Sequence, residues 1–186
     1  EMMAISAQET TIHVGVAAWQ WPSYFDPETK MKGITLDIAD WRRPSPESAP
    51  VQAKAAGLYM ICTLAKHTAE RKGFQDALML DYRGYVAEAT GANIFFLMND
   101  GKIHTPKADC FLDGITRRTV IELAKQAGLE VVERHILPDE LENAREAFLT
   151  GTAAEITPIS KIGDYNFKPD TACRTLVEAY TNVTNS

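Results

Sequence analysis

The tightest constraint on the fold lies between residues 76 and 105, where short apolar runs are separated by turn chemistry rather than by helical crossovers. Ala77 to Asp81 and Tyr85 to Ala89 flank Asp81-Tyr82-Arg83-Gly84, and Asn93 to Met98 and Lys102 to Thr105 flank Asn99-Asp100-Gly101. Asn, Asp and Gly tolerate the positive φ that tight hairpin turns need, so each pair reads as a β-hairpin. Strands joined this way pair locally. With helical patterns elsewhere in the chain, the layout is α+β.

The remaining elements are read around this centre. Residues 11–18 (Thr-Ile-His-Val-Gly-Val-Ala-Ala) read as a strand, being β-branched and partly alternating. Trp19 to Gly33 is rich in Trp, Pro, Asp and Lys and reads as a long loop or linker. Residues 34–39 are a strand, and the Pro- and Ser-rich stretch from Arg43 to Ala49 a loop. A helix is expected from about Gly57 to Lys72, with Leu58, Ile61, Cys62, Leu64 and Ala65 as its apolar stripe and Gly73 just past its end. A second helix begins near Thr116, with Val120, Ile121, Leu123 and Ala124 inward and Gly128 at its end. A strand at 130–136, a short helix from Pro138, strands at 147–150 and 155–162, and a helix from about Thr171 to Tyr180 complete the chain.

Composition narrows the function classes. The chain has 186 residues, enough for one sizeable domain or one domain plus a fragment, and is 45% hydrophobic and 24% charged, the balance of an ordinary globular protein. A formal net charge of -6 disfavours nucleic-acid binding, which needs clustered Lys and Arg. No apolar run approaches a membrane span, and the opening residues do not read as a secretory signal. Cys62, Cys110 and Cys173 are far apart and odd in number, which argues against a disulfide framework or a zinc site and for a reducing cytosol.

Several residues carry potential chemistry. Lys54 sits among Ala53, Ala55, Ala56 and Gly57 just before a helix. A lysine desolvated there would be an available nucleophile, although the local sequence taken alone reads rather as a surface lysine near a helix start. Glu88 is a lone carboxylate in a strand with small neighbours, which leave room for a flat ring; the bland alternative is an exposed strand residue. Gly114-Ile115-Thr116 precedes a helix whose free N–H groups, with the Thr116 hydroxyl, suit a phosphate, or Thr116 is simply an N-cap. Thr150-Gly151-Thr152-Ala153 ends a strand and offers a second hydroxyl and free amides, or is only a polar turn. Tyr59 can share a pocket with Lys54 if Lys54 lies in extended chain before the helix; otherwise it is a core tyrosine.

From about Trp21 to Tyr180 the chain resembles fold-type IV pyridoxal-phosphate enzymes, most closely the branched-chain amino acid aminotransferases. The resemblance rests on Ala53-Lys54-Ala55-Ala56-Gly57-Leu58-Tyr59, Glu88-Ala89-Thr90-Gly91-Ala92-Asn93, Asp113-Gly114-Ile115-Thr116-Arg117 and Thr150-Gly151-Thr152-Ala153-Ala154-Glu155 in this order, with Trp41-Arg42-Arg43-Pro44 and Glu133-Arg134 beside them. It implies pyridoxal 5'-phosphate as cofactor, with Lys54 as Schiff-base lysine and proton carrier. Glu88 would pair with the pyridine nitrogen, Tyr59 would bond the phenolic oxygen, and Leu112 would pack on the ring. Ile115, Thr116 and Thr152 would bind phosphate. Thr152 and Ala153 would hold the substrate carboxylate, and Trp21 and Tyr24 would border the apolar side-chain pocket. The implied reaction is transamination between branched-chain L-amino acids and 2-oxoglutarate in a cytoplasmic homodimer, with no metal. A D-amino acid aminotransferase or aminodeoxychorismate lyase of the same fold remains an alternative.

One departure from the family pattern is Leu58, where the family usually has Asn. The resemblance also implies a C-terminal part of a longer enzyme: residues 1–18 as the last part of a small α/β domain, 19–33 as an interdomain loop and 34–186 as a large pseudo-barrel domain. On that view the chain is either completed by a separate chain carrying the small domain or is a non-catalytic fragment.

Overall fold

The structure, a computed structural model, describes residues 5–20 and 31–185. Its centre is a mixed sheet. Strands β1 (Ile34–Arg43), β2 (Asp76–Asp81), β3 (Val86–Ala89), β4 (Asn93–Met98), β5 (Ile103–Pro106), β6 (Val131–Arg134), β7 (Ala144–Gly151) and β8 (Glu155–Ile162) lie in the order β3-β2-β1-β8-β7-β4-β5-β6, and β9 (Tyr165–Asn166) pairs with β8. The hairpins β2–β3 and β4–β5 form where the turn chemistry placed them. Parallel pairing joins β1 to both β2 and β8, and β5 to β6.

The sheet curls until its ends approach. Val86 N–H donates to the Ile136 carbonyl just beyond β6 at 2.8 Å, so β3 at one end meets the chain leaving the other. The enclosed core contains Leu36, Leu78, Ile94, Phe96, Leu149 and Ile159. Alternation along each strand turns the other face outward, where helices cover it. Helix α1 (Met60–Arg71) follows a 310 turn at Ala56–Tyr59 and lays Cys62, Ala65 and Ala69 on Ala39, Ala77 and Met79. Helices α2 (Ile115–Gln126) and α3 (Thr171–Thr184) cover Phe95, Leu97, Phe148 and Ile156. The Phe95 and Phe148 rings stack at 5.1 Å between adjacent strands β4 and β7, a pair that contributes about 0.5–1.5 kcal/mol beyond burial.

Four expectations need correction. The apolar stripe of α1 is rotated: Leu64 is 41% exposed, and small residues face the sheet, because Cys62, Ala65 and Ala69 let the helix approach closely. Helix α1 does end at Gly73, whose φ of +86° lets Gly73 and Phe74 donate back to Glu70 and Ala69. Residues 11–18 form no strand. Ile12, Val14 and Val16 are all exposed, because β-branched alternation makes a strand only where a neighbour supplies the ladder, and no described strand pairs with them. The strand expected at 130–136 is shorter, and the short helix after it is a 310 turn at Pro138–Asn143. The expected linker lies mostly outside the described residues.

Candidate active site

The open end of the barrel holds a cavity of about 340 Å³ between the β1–α1 loop, β3, the start of β4, the start of α2 and the end of β7. Every residue proposed from the sequence for the cofactor lines it: Lys54, Tyr59, Glu88, Leu112, Ile115, Thr116 and Thr152. A neighbouring cavity of about 830 Å³ shares Lys54, Tyr59 and Thr152 and adds Ala153. Trp21 and Tyr24 lie outside the described residues.

Glu88 is buried, which removes the exposed-strand alternative. Its carboxylate accepts from the Asn93 side-chain amide at 3.2 Å and lies 3.3 Å from Arg43 Nε. That ion pair is poorly directed, since Arg43 Nε makes no hydrogen bond. The guanidinium spends its Nη1 on the Leu58 carbonyl and Cys62 Sγ instead. Burial therefore outweighs Arg43 and lifts the Glu88 pKa from 4.5 to about 8. A carboxyl held so dry is poised to become an anion when a cationic N–H is placed against it.

Asn93 ties the opposite wall together. Its side-chain amide also donates to the Leu112 carbonyl at 3.0 Å, and its Oδ1 accepts from Gly114 N–H at 3.3 Å. Gly114 is required there, because an added Cβ would sit 2.5 Å from Asn93 Oδ1. Gly114 is also the N-cap of α2, with no side-chain cap. Thr116 therefore lies inside the first turn and is not the cap. The first-turn amides of α2 face the cavity end without intrahelical partners, the arrangement that binds anions. Arg117 fixes the helix through Asp113, Glu133 and the Pro106 carbonyl.

The lysine side of the cavity is different. Lys54 is exposed, contrary to the expectation that small apolar neighbours desolvate it, because those neighbours are exposed as well. The loop is nevertheless anchored: Val51 is buried, and Gln52 donates to the Ala108 carbonyl at 2.8 Å. Tyr59, 37% exposed, is not a core tyrosine. Its pKa is raised by burial first and then by the charges of Glu88 and Cys62, against Arg43, so the hydroxyl keeps the proton it would donate.

The turn after β7 is tight. Thr152, exposed, and the half-buried Ala153 lie between Gly151 and Glu155, and Glu155 takes a φ of +51°, a conformation that favours glycine. Sequence reasoning gave no role to Arg43, Asn93 or Thr150. All three stood inside the quoted motifs, and Asn93 carried a signal of its own as the polar residue opening an otherwise apolar strand. A second group of ligand-type side chains, Asp81, Asp109 and Cys110, carries no metal signature, because Arg83 Nη2 already bonds all three.

The family described as Amino-transferase class IV matches residues 4–162. The chain belongs to this family. It is 47% identical over 136 residues to a probable branched-chain-amino-acid aminotransferase of Rickettsia felis, covering 73% of this chain and 47% of the relative. It is 41% identical over 162 residues to the branched-chain-amino-acid aminotransferase of Pseudomonas aeruginosa, covering 87% and 52%. The branched-chain amino acid aminotransferase of Thermobaculum terrenum, solved in its PLP form, superposes with a TM-score of 0.77 at 39% identity over 81% of this chain and 50% of that one. The chain thus spans about half the length of the relatives it matches. The fold is that of these fold-type IV aminotransferases, the α+β pseudo-barrel expected from the sequence.

Proposed function

We propose that this chain is the cofactor-binding part of a pyridoxal-phosphate-dependent aminotransferase that exchanges amino groups between branched-chain L-amino acids and 2-oxoglutarate. The observation that carries the reading is the convergence of Lys54, Tyr59, Glu88 and the uncapped start of α2 on one cavity. The residues fit the cofactor: a buried acid for the ring nitrogen, free amides for the phosphate, and a lysine at the mouth. Bound pyridoxal phosphate would supply an electron sink for the pair released when the substrate Cα–H bond breaks.

The chain's own residues supply the rest. Lys54 would hold the cofactor covalently through Nζ and, once displaced by substrate, take the proton from the substrate Cα as base and deliver it as acid to the cofactor's C4′. Glu88 would take the charge of the ring N–H, and the approach of that cation would draw its pKa back down. Tyr59 would donate to the phenolic oxygen and Leu112 would cover one ring face. Amides of Ile115 and Thr116, with the hydroxyls of Thr116 and Thr152, would bind phosphate. Amides of Thr152 and Ala153 would orient the substrate carboxylate, and Trp21 and Tyr24 would border its side chain. The names of the relatives support the branched-chain donors. A homodimer in the cytoplasm, with residues 1–18 ending a small domain, 19–33 linking it and 34–186 forming the large one, completes the reading. Among the described residues no helix is long and apolar enough to cross a membrane.

Lys54→Ala should reduce transamination with leucine, isoleucine and valine to background. Retained turnover would sink the assignment. A donor panel that also holds D-alanine and aminodeoxychorismate separates the related activities. The exposure of Lys54 favours a second reading, in which this chain alone does not retain the cofactor and a separately supplied small domain restores binding.

A further inference from the structure

Thr150 stands near the end of β7, just before the Thr152 loop, and nothing above gives it a role. Its side chain lines the same cavity as Ile115, Thr116 and Thr152. The residue is 1% exposed, and its Oγ1 is buried without a hydrogen-bond partner. A buried hydroxyl left in that state is costly, whereas valine would fill the same β-branched shape at no such cost. The position is fixed from both sides, since Thr150 pairs with Asn93 of β4 and Ile156 of β8. Two residues earlier, Phe148 packs in the outer core under α2, so alternation turns Thr150 toward the α2 side of the sheet. There the uncapped amides of α2 end at the same cavity.

The other orphaned polar atoms do not compete for this role. Arg43 Nε already lies beside Glu88, and Arg117 does not line the cavity and bonds two carboxylates. We infer that the Thr150 hydroxyl is a further ligand for a phosphate ester, donating to a phosphate oxygen alongside the α2 amides. The inference rests on the cofactor reading above. It predicts that Thr150 distinguishes a phosphorylated from an unphosphorylated pyridine aldehyde, because both reach Lys54 but only one carries the acceptor.

The test compares the unaltered chain, Thr150→Val and Thr150→Ser, each titrated with pyridoxal phosphate and with pyridoxal. Absorbance and borohydride-trapped adduct are read for each, with thermal unfolding of the cofactor-free forms. Thr150→Val should bind pyridoxal phosphate about tenfold more weakly, the loss of one hydrogen bond to a charged group, while trapping pyridoxal as before. Thr150→Ser should stay near the unaltered chain, and cofactor-free Thr150→Val should melt no lower than it. Equal affinity of the valine variant for pyridoxal phosphate, or an equal loss for both aldehydes with a lower melting temperature, would overturn the assignment in favour of no role or a structural one. An unaltered chain that traps neither aldehyde, both alone and with the small domain supplied, would overturn the cofactor reading itself, and this assignment with it.

Discussion

Glu88 and Lys54 line one cavity, yet Glu88 is 8% exposed within the sheet and Lys54 lies exposed on a loop. The Glu88 wall is made of regular structure cross-braced by side chains: Asn93 joins the carboxylate to Leu112 and Gly114, and Arg117 pins α2 below them. The Lys54 wall hangs from Val51, Gln52 and the Arg43 bond to the Leu58 carbonyl. The two halves therefore carry different work. The braced half is organised before any ligand arrives, which is what recognition of a ring and a phosphate requires. On the proposed function, the loop half would bring the Lys54 nucleophile to that preformed surface.

Substitutions can break this contrast, and the largest effect falls on the loop. Lys54→Ala should remove covalent trapping of pyridoxal phosphate altogether while leaving the melting temperature unchanged, because an exposed side chain contributes little to folding. A large drop in melting temperature would show that the loop is part of the frame. Asn93→Ala should do the reverse. It strips hydrogen bonds from Glu88, Leu112 and Gly114 at once, at a cost of about 1–3 kcal/mol in chemical denaturation, and weakens cofactor binding as well. Stability equal to the unaltered chain would contradict the bracing role.

Gly114→Ala sharpens the same point more gently. Its Cβ would push on Asn93 Oδ1, so a loss of about 1 kcal/mol or more is expected, with weaker phosphate binding at the start of α2. The same loss in an Asn93→Ala background would show that the contact is not the cause.

The smallest and most diagnostic effect is on pH dependence. Burial holds the Glu88 pKa near 8, above its ordinary 4.5, so the folded cofactor-free chain keeps a proton that the unfolded chain releases. Stability should therefore be fullest below about 4.5, fall as the pH rises toward about 8 and level off beyond, by at most about 1.4 kcal/mol per pH unit from this group. Glu88→Gln should flatten that fall. A cofactor that places a cation against the carboxylate should flatten it too, and an unaltered slope in both would contradict the dry-acid account.

Much of the frame was legible in the sequence because it is local. Asn99-Asp100-Gly101 and the periodicity of Val120, Ile121, Leu123 and Ala124 depend on near neighbours, and both elements form where expected. The residues that line the cavity were legible as motifs, since Gly114 and the residues around Lys54 and Glu88 keep a characteristic order. What escaped depends on distant partners. Closure through Val86 and Ile136, the rotation of α1 toward its small residues and the absence of a strand at 11–18 are each decided by what packs or pairs across the chain. Burial escaped in both directions: Ala-rich surroundings suggested a dry Lys54, and Thr150 read as the polar end of a strand although its side chain is buried.

The most direct test of the account is borohydride reduction of the chain with pyridoxal phosphate, followed by peptide mapping, in the chain as it is and with the small domain supplied. The account predicts an adduct confined to Lys54 wherever cofactor is retained. An adduct on other lysines, or none under either condition, would contradict it.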